Sequence, residues 1–142
     1  MSNADVTIEI KSLGFRRIGA QMMAAIDDEV NTSAMNVLSS AQLAIMNPPK
    51  TGVTYKSGQR VHQASAPGEA PANDLGNLAG SGTTRRVGLG HYQVVFSTPY
   101  AKPLEYGNAS GTILPRPYVR PALHREGGIL ADNIRRAMGK AR

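Results

Sequence analysis

Few residues in this chain have the types and spacing that chemistry requires. His62, His91 and His124 lie far apart and in different predicted elements. A zinc hydrolase would set two histidines on one helical face in a His-Glu-x-x-His pattern, and no such pair is present. Ser81 stands between Gly80 and Gly82, but a nucleophile elbow needs Gly-x-Ser-x-Gly at the end of a strand, and neither condition is met. Lys50-Thr51 lacks the glycines that wrap a phosphate, and Gly88-x-Gly90 lacks the third glycine of a dinucleotide turn. The ten carboxylates include no pair whose spacing argues for acid–base work. Cysteine is absent, which excludes disulfides and thiolate metal sites. The reading is of a protein that is not an enzyme, with no catalytic residue, no cofactor and no metal.

The basic residues carry a different message. The 142-residue chain has a formal net charge of +6. Residues 1–49 carry a net −2 and the remainder a net +8. Arg85 and Arg86 fall in a predicted strand, Arg116 and Arg120 flank a helix start, and Arg135, Arg136 and Lys140 lie near the C-terminus. Such a half suits either an acidic protein partner or phosphates. A basic DNA-binding protein making mainly phosphate contacts is therefore the alternative function, and its affinity would fall steeply with salt. Five tyrosines and two phenylalanines are few for a base-stacking platform. Loose, non-specific contact with DNA passing through an assembly fits better than sequence-specific binding.

The elements that must position these residues follow from periodicity. Val6, Ile8 and Ile10 alternate with polar residues, as in a strand with one buried face. From Phe15, a stripe through Ile18, Met22, Ile26, Val30, Ala34, Val37, Ala41 and Ile45 predicts an amphipathic helix ending before Pro48-Pro49. Residues 48–73 then hold four prolines and three glycines without a sustained apolar period. So long a connection is uncommon in a compact domain, and it reads as a flexible arm ordered on binding a partner. Asp74 is placed to cap a short turn carrying Leu75 and Leu78. Thr83–Leu89 and Tyr92–Thr98 read as a hairpin, Tyr100–Gly107 as a helical turn and Thr112–Leu114 as a short edge strand. Pro117 fits the first turn of a C-terminal helix, and Gly127-Gly128 predicts a break within it. The fold expected is one α+β domain over 1–142: a long N-terminal helix packed on a small antiparallel sheet of three to four strands, with a C-terminal helix and a long Pro/Gly-rich loop. No apolar stretch is long enough for a membrane span, and no signal-peptide pattern opens the chain.

Three phrases, in order, resemble a phage family. They are Ser65-Ala66-Pro67-Gly68-Glu69-Ala70-Pro71 leading to Asp74-Leu75-Gly76-Asn77-Leu78, then Tyr100-Ala101-Lys102-Pro103-Leu104-Glu105-Tyr106-Gly107, then Arg116-Pro117-Tyr118-Val119-Arg120-Pro121-Ala122. Together they are similar to the gp-ten-like tail-component family of lambda-like long-tailed phages, whose members are called minor tail, neck or tail-completion proteins. The resemblance implies a non-enzymatic virion protein near the head–tail junction, found in the host cytoplasm during assembly. It implies a homo-oligomeric ring with other neck and tail proteins as partners and no membrane. On that reading Val53–Asn73 is the docking arm, and the contact residues are Pro67, Gly68, Glu69, Pro71, Asp74, Tyr100, Glu105, Tyr106, Arg116, Tyr118 and Arg120. The competing reading of the same tyrosines and prolines is structural: rings that cover the core and prolines that set turns.

Overall fold

The computed structural model describes residues 5–11, 19–47, 50–73 and 75–140. Helix α1, Ala20–Met46, is the element on which the others are built. It contains no proline or glycine, and it buries Ile26, Val30, Ser33, Ala34, Val37, Ala41 and Ile45 on one stripe. Ala34 and Ala41 are small enough to let neighbouring backbones approach. The helix stops at Met46, where the Asn47 N–H closes the last turn on the Leu43 carbonyl. Phe15 and Ile18, the first residues of the expected stripe, lie outside the described residues.

Strand β1, Val6–Lys11, precedes α1, and β2, Thr54–Ser57, and β3, Arg60–Gln63, follow it. Then come α2, Asn77–Gly80; β4, Gly82–Gly88; β5, His91–Phe96; α3, Ala101–Tyr106; and α4, Arg120–Lys140. Three strands form an antiparallel sheet in the order β1-β5-β4. Strand pleating sends alternate side chains to opposite faces. Val6, Ile8 and Ile10 on β1 meet Phe96, Val94 and Tyr92 on β5, in register, beneath α1. The other face carries Glu9, Lys11, His91 and Gln93. Gly82 opens β4 where a Cβ would come within 2.6 Å of Leu38 and 2.8 Å of Phe96, so a side chain there would have to displace Leu38 and the buried Phe96 ring.

Two contacts lock α1 to the rest. The Asp27 carboxylate accepts from the Gly90 N–H at 2.6 Å and the Tyr92 hydroxyl at 3.2 Å, and lies 3.5 Å from Arg86. It thereby ties the helix to the β4–β5 hairpin. Gln42 donates to the Ala79 carbonyl and fixes α2. Helix α4 lies against α1, burying Ala122 and half-burying Leu123, Leu130, Ile134 and Met138. The architecture is the α+β arrangement that the periodicity predicted.

Five local expectations need correction. The arm is not without regular structure, because β2 and β3 pair antiparallel through a two-residue loop at Gly58-Gln59. Gly58 adopts φ 64 there, as a primed hairpin turn requires. Residues 112–114 form no strand; they close a loop in which Asn108 and Ile113 exchange hydrogen bonds. Pro117 precedes α4, and Pro121 takes the early position, where its missing N–H costs nothing. Helix α4 runs unbroken through Gly127 and Gly128. The penalty of about 1 kcal/mol per glycine is offset by apolar packing on α1 before and after the pair. Finally, Gly76 at φ 77 is the N-cap of α2, and Asp74 lies outside the described residues.

Candidate functional site

The three phrases meet in space at the junction of α3 and α4. Helix α3 ends at Gly107, whose φ is 77 and whose Cβ position would lie 2.9 Å from the Ile113 carbonyl. That close approach turns the chain so that 113–116 runs back beside α3. The Arg116 N–H then bonds the Leu104 carbonyl at 2.6 Å.

Glu105 is the centre of this junction and is fully buried. Its carboxylate accepts from the backbone N–H groups of Tyr118 at 2.8 Å, Val119 at 3.0 Å and Arg120 at 3.0 Å, and from Arg120 Nε at 3.0 Å. Those N–H groups are the orphan donors at the start of α4. A negative charge there is also favoured by the helix dipole. Glu105 therefore caps a helix fifteen residues away in sequence. Arg120 answers with a second bond, from Nη2 to the Glu105 carbonyl at 2.9 Å, and lays its guanidinium 4.8 Å from the Tyr106 ring centroid. A buried carboxylate is tolerable only when paired and fully hydrogen-bonded, and this one is both.

Tyr118 fills the space beside it. Its ring meets Phe96 edge-on at 5.1 Å, and its hydroxyl donates to the Ala101 carbonyl at 3.2 Å. Burial, with the Glu105 charge adding to it, pushes the phenol far above its ordinary pKa, so it stays a neutral donor.

A second junction roots the β2–β3 hairpin. The Glu69 carboxylate accepts from the Thr51 N–H at 3.0 Å, the Thr51 hydroxyl and the Ala66 N–H at 2.8 Å. These bonds, the Thr51 hydroxyl first, hold its pKa down at about 2. Gly52 and Ala64 extend the ladder, with the Gly52 N–H on the Ala64 carbonyl and the Ala64 N–H on the Val53 carbonyl. A Cβ on Gly52 would fall 2.6 Å from two carbonyl oxygens, so the crossing is closed to any other residue. The root joins the first junction through Arg116 Nε on the Ser65 carbonyl at 3.2 Å and the Gly68 N–H on the Pro115 carbonyl at 3.0 Å.

These facts sort the expected contact residues. Glu105 is 0% exposed and Tyr118 1%, and Pro71 is buried. Glu105 and Tyr118 thus serve the interior of the subunit. Tyr100 and Tyr106 remain exposed, as do Pro67 and Gly68, while Glu69, Arg116 and Arg120 are half-buried in the two junctions. Pro71, Leu75, Leu78, Ile45, Tyr100 and Leu104 line a groove of about 450 Å³.

The sequence reading missed the hairpin. It stands out from the body with Tyr55 and Val61 exposed by 50 and 63%, and Val53, just before β2, by 76%. A glycine between two short runs with β-branched and aromatic residues was the signal. Two residues weighed for chemistry make structural contacts. Ser81 donates to the Leu78 carbonyl, and His62 stacks edge-on against Tyr55 at 5.3 Å. Among the described residues no cluster of three or more His, Asp or Glu is placed to hold a metal ion, and no helix is long and apolar enough to cross a membrane. Comparison with protein-family models, curated proteins and solved structures finds no match.

Proposed function

We propose that this chain is a non-enzymatic structural protein of a tailed phage or prophage particle, acting at the head–tail junction or in tail completion within a ring-like assembly. The observation that carries the reading is the β2–β3 hairpin, which exposes Tyr55 on one face and Val61 on the other, with Val53 exposed just before it, above a firmly bonded root. An isolated two-stranded ribbon is marginal in water, and clustered exposed apolar residues mark interaction surfaces. An element of that kind is useful where another subunit covers it. The resemblance of the three phrases to the gp-ten-like tail components supplies the setting, with other neck and tail proteins as partners.

The test is assembly. Tails and particles made with and without the protein should differ in mass by a ring of subunits and in negative-stain density at the neck. Particles lacking it should fail to join heads to tails. Equal mass and equal infectivity would refute the proposal. Submicromolar binding to duplex DNA at physiological salt would instead favour the phosphate-contacting alternative.

A further inference from the structure

The β2–β3 ribbon shows both of its faces to solvent. Pairing sets Tyr55 opposite His62, Lys56 opposite Val61 and Ser57 opposite Arg60. Pleating then puts Tyr55, Arg60 and His62 on one face and Thr54, Lys56, Val61 and Gln63 on the other. Each face thus carries a large apolar or aromatic side chain and a cation. All of these residues except the half-buried His62 are exposed. The second face does not lie on its own subunit. A gap of about 270 Å³ separates Val61 and Gln63 from Ile45 and Met46, and Val61 and Met46 are 63 and 55% exposed across it. From residue 50 to 68 the chain carries Lys50, Lys56, Arg60 and His62 and no carboxylate.

We infer that the ribbon is clasped on both faces by a cleft of another protein, with apolar walls and with carboxylates opposite Lys56 and Arg60. A flat surface would cover one face and leave Tyr55 or Val61 in water. A clasp covers both, with one wall entering the gap and burying Val61 and Met46 together. From Val53 to Gly58 the ribbon extends about 17 Å, which sets the depth of the cleft. Lys56 and Arg60 lie nearest the turn and go deepest. A cation taken out of water needs an opposite charge and hydrogen bonds, so the cleft must supply carboxylates on both walls. A second copy of this chain is poorly equipped to supply them. Its Glu9, Asp27, Glu69, Glu105, Glu126 and Asp132 already accept hydrogen bonds within the subunit, which leaves Asp5, Asp28 and Glu29 among the described residues. The exposed Tyr55 and Val61 favour a protein over a nucleic-acid groove, because phosphates pair with cations but offer no apolar wall. The inference deepens the assembly reading, on which it rests, by giving the chemistry of the neighbour.

Cysteine is absent, so single thiols can be followed one at a time. Tyr55→Cys places one on the first face and Val61→Cys one on the second. Each variant is treated with a maleimide as the isolated chain and within assembled tails. Assembly should slow the labelling of both thiols at least about tenfold. Lys56→Glu with Arg60→Glu should lower incorporation into tails about tenfold, and Lys56→Arg should keep it. Circular dichroism checks that each variant is folded, and a folded thiol variant shut out of tails counts with protection, since its face is then needed. A thiol that stays fast in tails, or incorporation indifferent to charge reversal, overturns the inference and leaves the chain a tail component. Slow labelling in the concentrated isolated chain would put the cleft on a second copy, and protection lost on nuclease treatment would put it on nucleic acid; either overturns the inference. Absence of the unsubstituted chain from tails overturns the assembly reading and this inference with it.

Discussion

Glu69 accepts a hydrogen bond from the distant Thr51 N–H, and Glu105 from the N–H groups of Tyr118, Val119 and Arg120. One does so at the root of the hairpin, within reach of water; the other is sealed beneath the start of α4. The difference in burial decides what each can do. A buried carboxylate that loses its partners, or partners that lose it, cannot turn to solvent. An accessible one can, so its loss is local. The molecule thus has a stiff platform, built on Glu105, and a presented ribbon whose aim depends on Glu69.

The comparison is most open to attack at Glu105. Glu105→Ala would strand three backbone donors and the Arg120 guanidinium, at a cost of about 3–5 kcal/mol. Urea unfolding should show it as a large drop in midpoint. The half-exposed Arg120 head can still reach water, which favours the lower end. A loss below about 1 kcal/mol would remove the distinction between the two junctions. Tyr118→Phe should cost about 1 kcal/mol, the worth of one buried hydrogen bond, because the ring contact with Phe96 is kept.

Gly127→Ala and Gly128→Ala sharpen the point with the opposite sign. Both sites are helical and have open space where a Cβ would go, so each should add about 0.5–1 kcal/mol, read as a higher unfolding midpoint. The helix is continuous because Glu105 caps its start and α1 packs its side, and its own propensity is the weaker contributor. The smallest global effect belongs to Glu69→Gln, which should leave the unfolding midpoint nearly unchanged. It should nevertheless speed amide exchange at Gly52, Ala64 and Ala66. Acid should do the same. The Glu69 pKa is lowered from 4.5 in the unfolded chain to about 2, so its contribution is complete above pH 4.5 and is lost as pH falls toward 2. Exchange corrected for intrinsic rates should be flat between pH 6 and 8 and rise at the root below 4.5.

Much of the fold was legible because it rests on long periodic patterns. The α1 stripe, the alternation in Val6–Ile10 and Tyr92–Phe96, and the short helix at Tyr100–Gly107 are local signals repeated over many residues. The junctions were not legible. That Glu105 reaches past Gly107 to cap α4 depends on a loop closure, and no spacing rule encodes a capping residue supplied by another helix. The hairpin was obscured by its neighbours: Pro48, Pro49, Pro67 and Pro71 made the whole stretch look unstructured, although Tyr55, Gly58 and Val61 between them had the composition of a ribbon. The phrases that carried the resemblance proved in part to be internal fastenings, as Glu105 and Tyr118 illustrate. Partner contact is therefore best sought on the hairpin.

The most direct test is hydrogen exchange on the isolated protein and on the protein within assembled tails. The account predicts that 101–123 is protected in both, while 53–63 exchanges fast alone and slows markedly on assembly. A hairpin that exchanges equally fast in the assembled particle, or that is already as protected as α1 in the lone molecule, would contradict it.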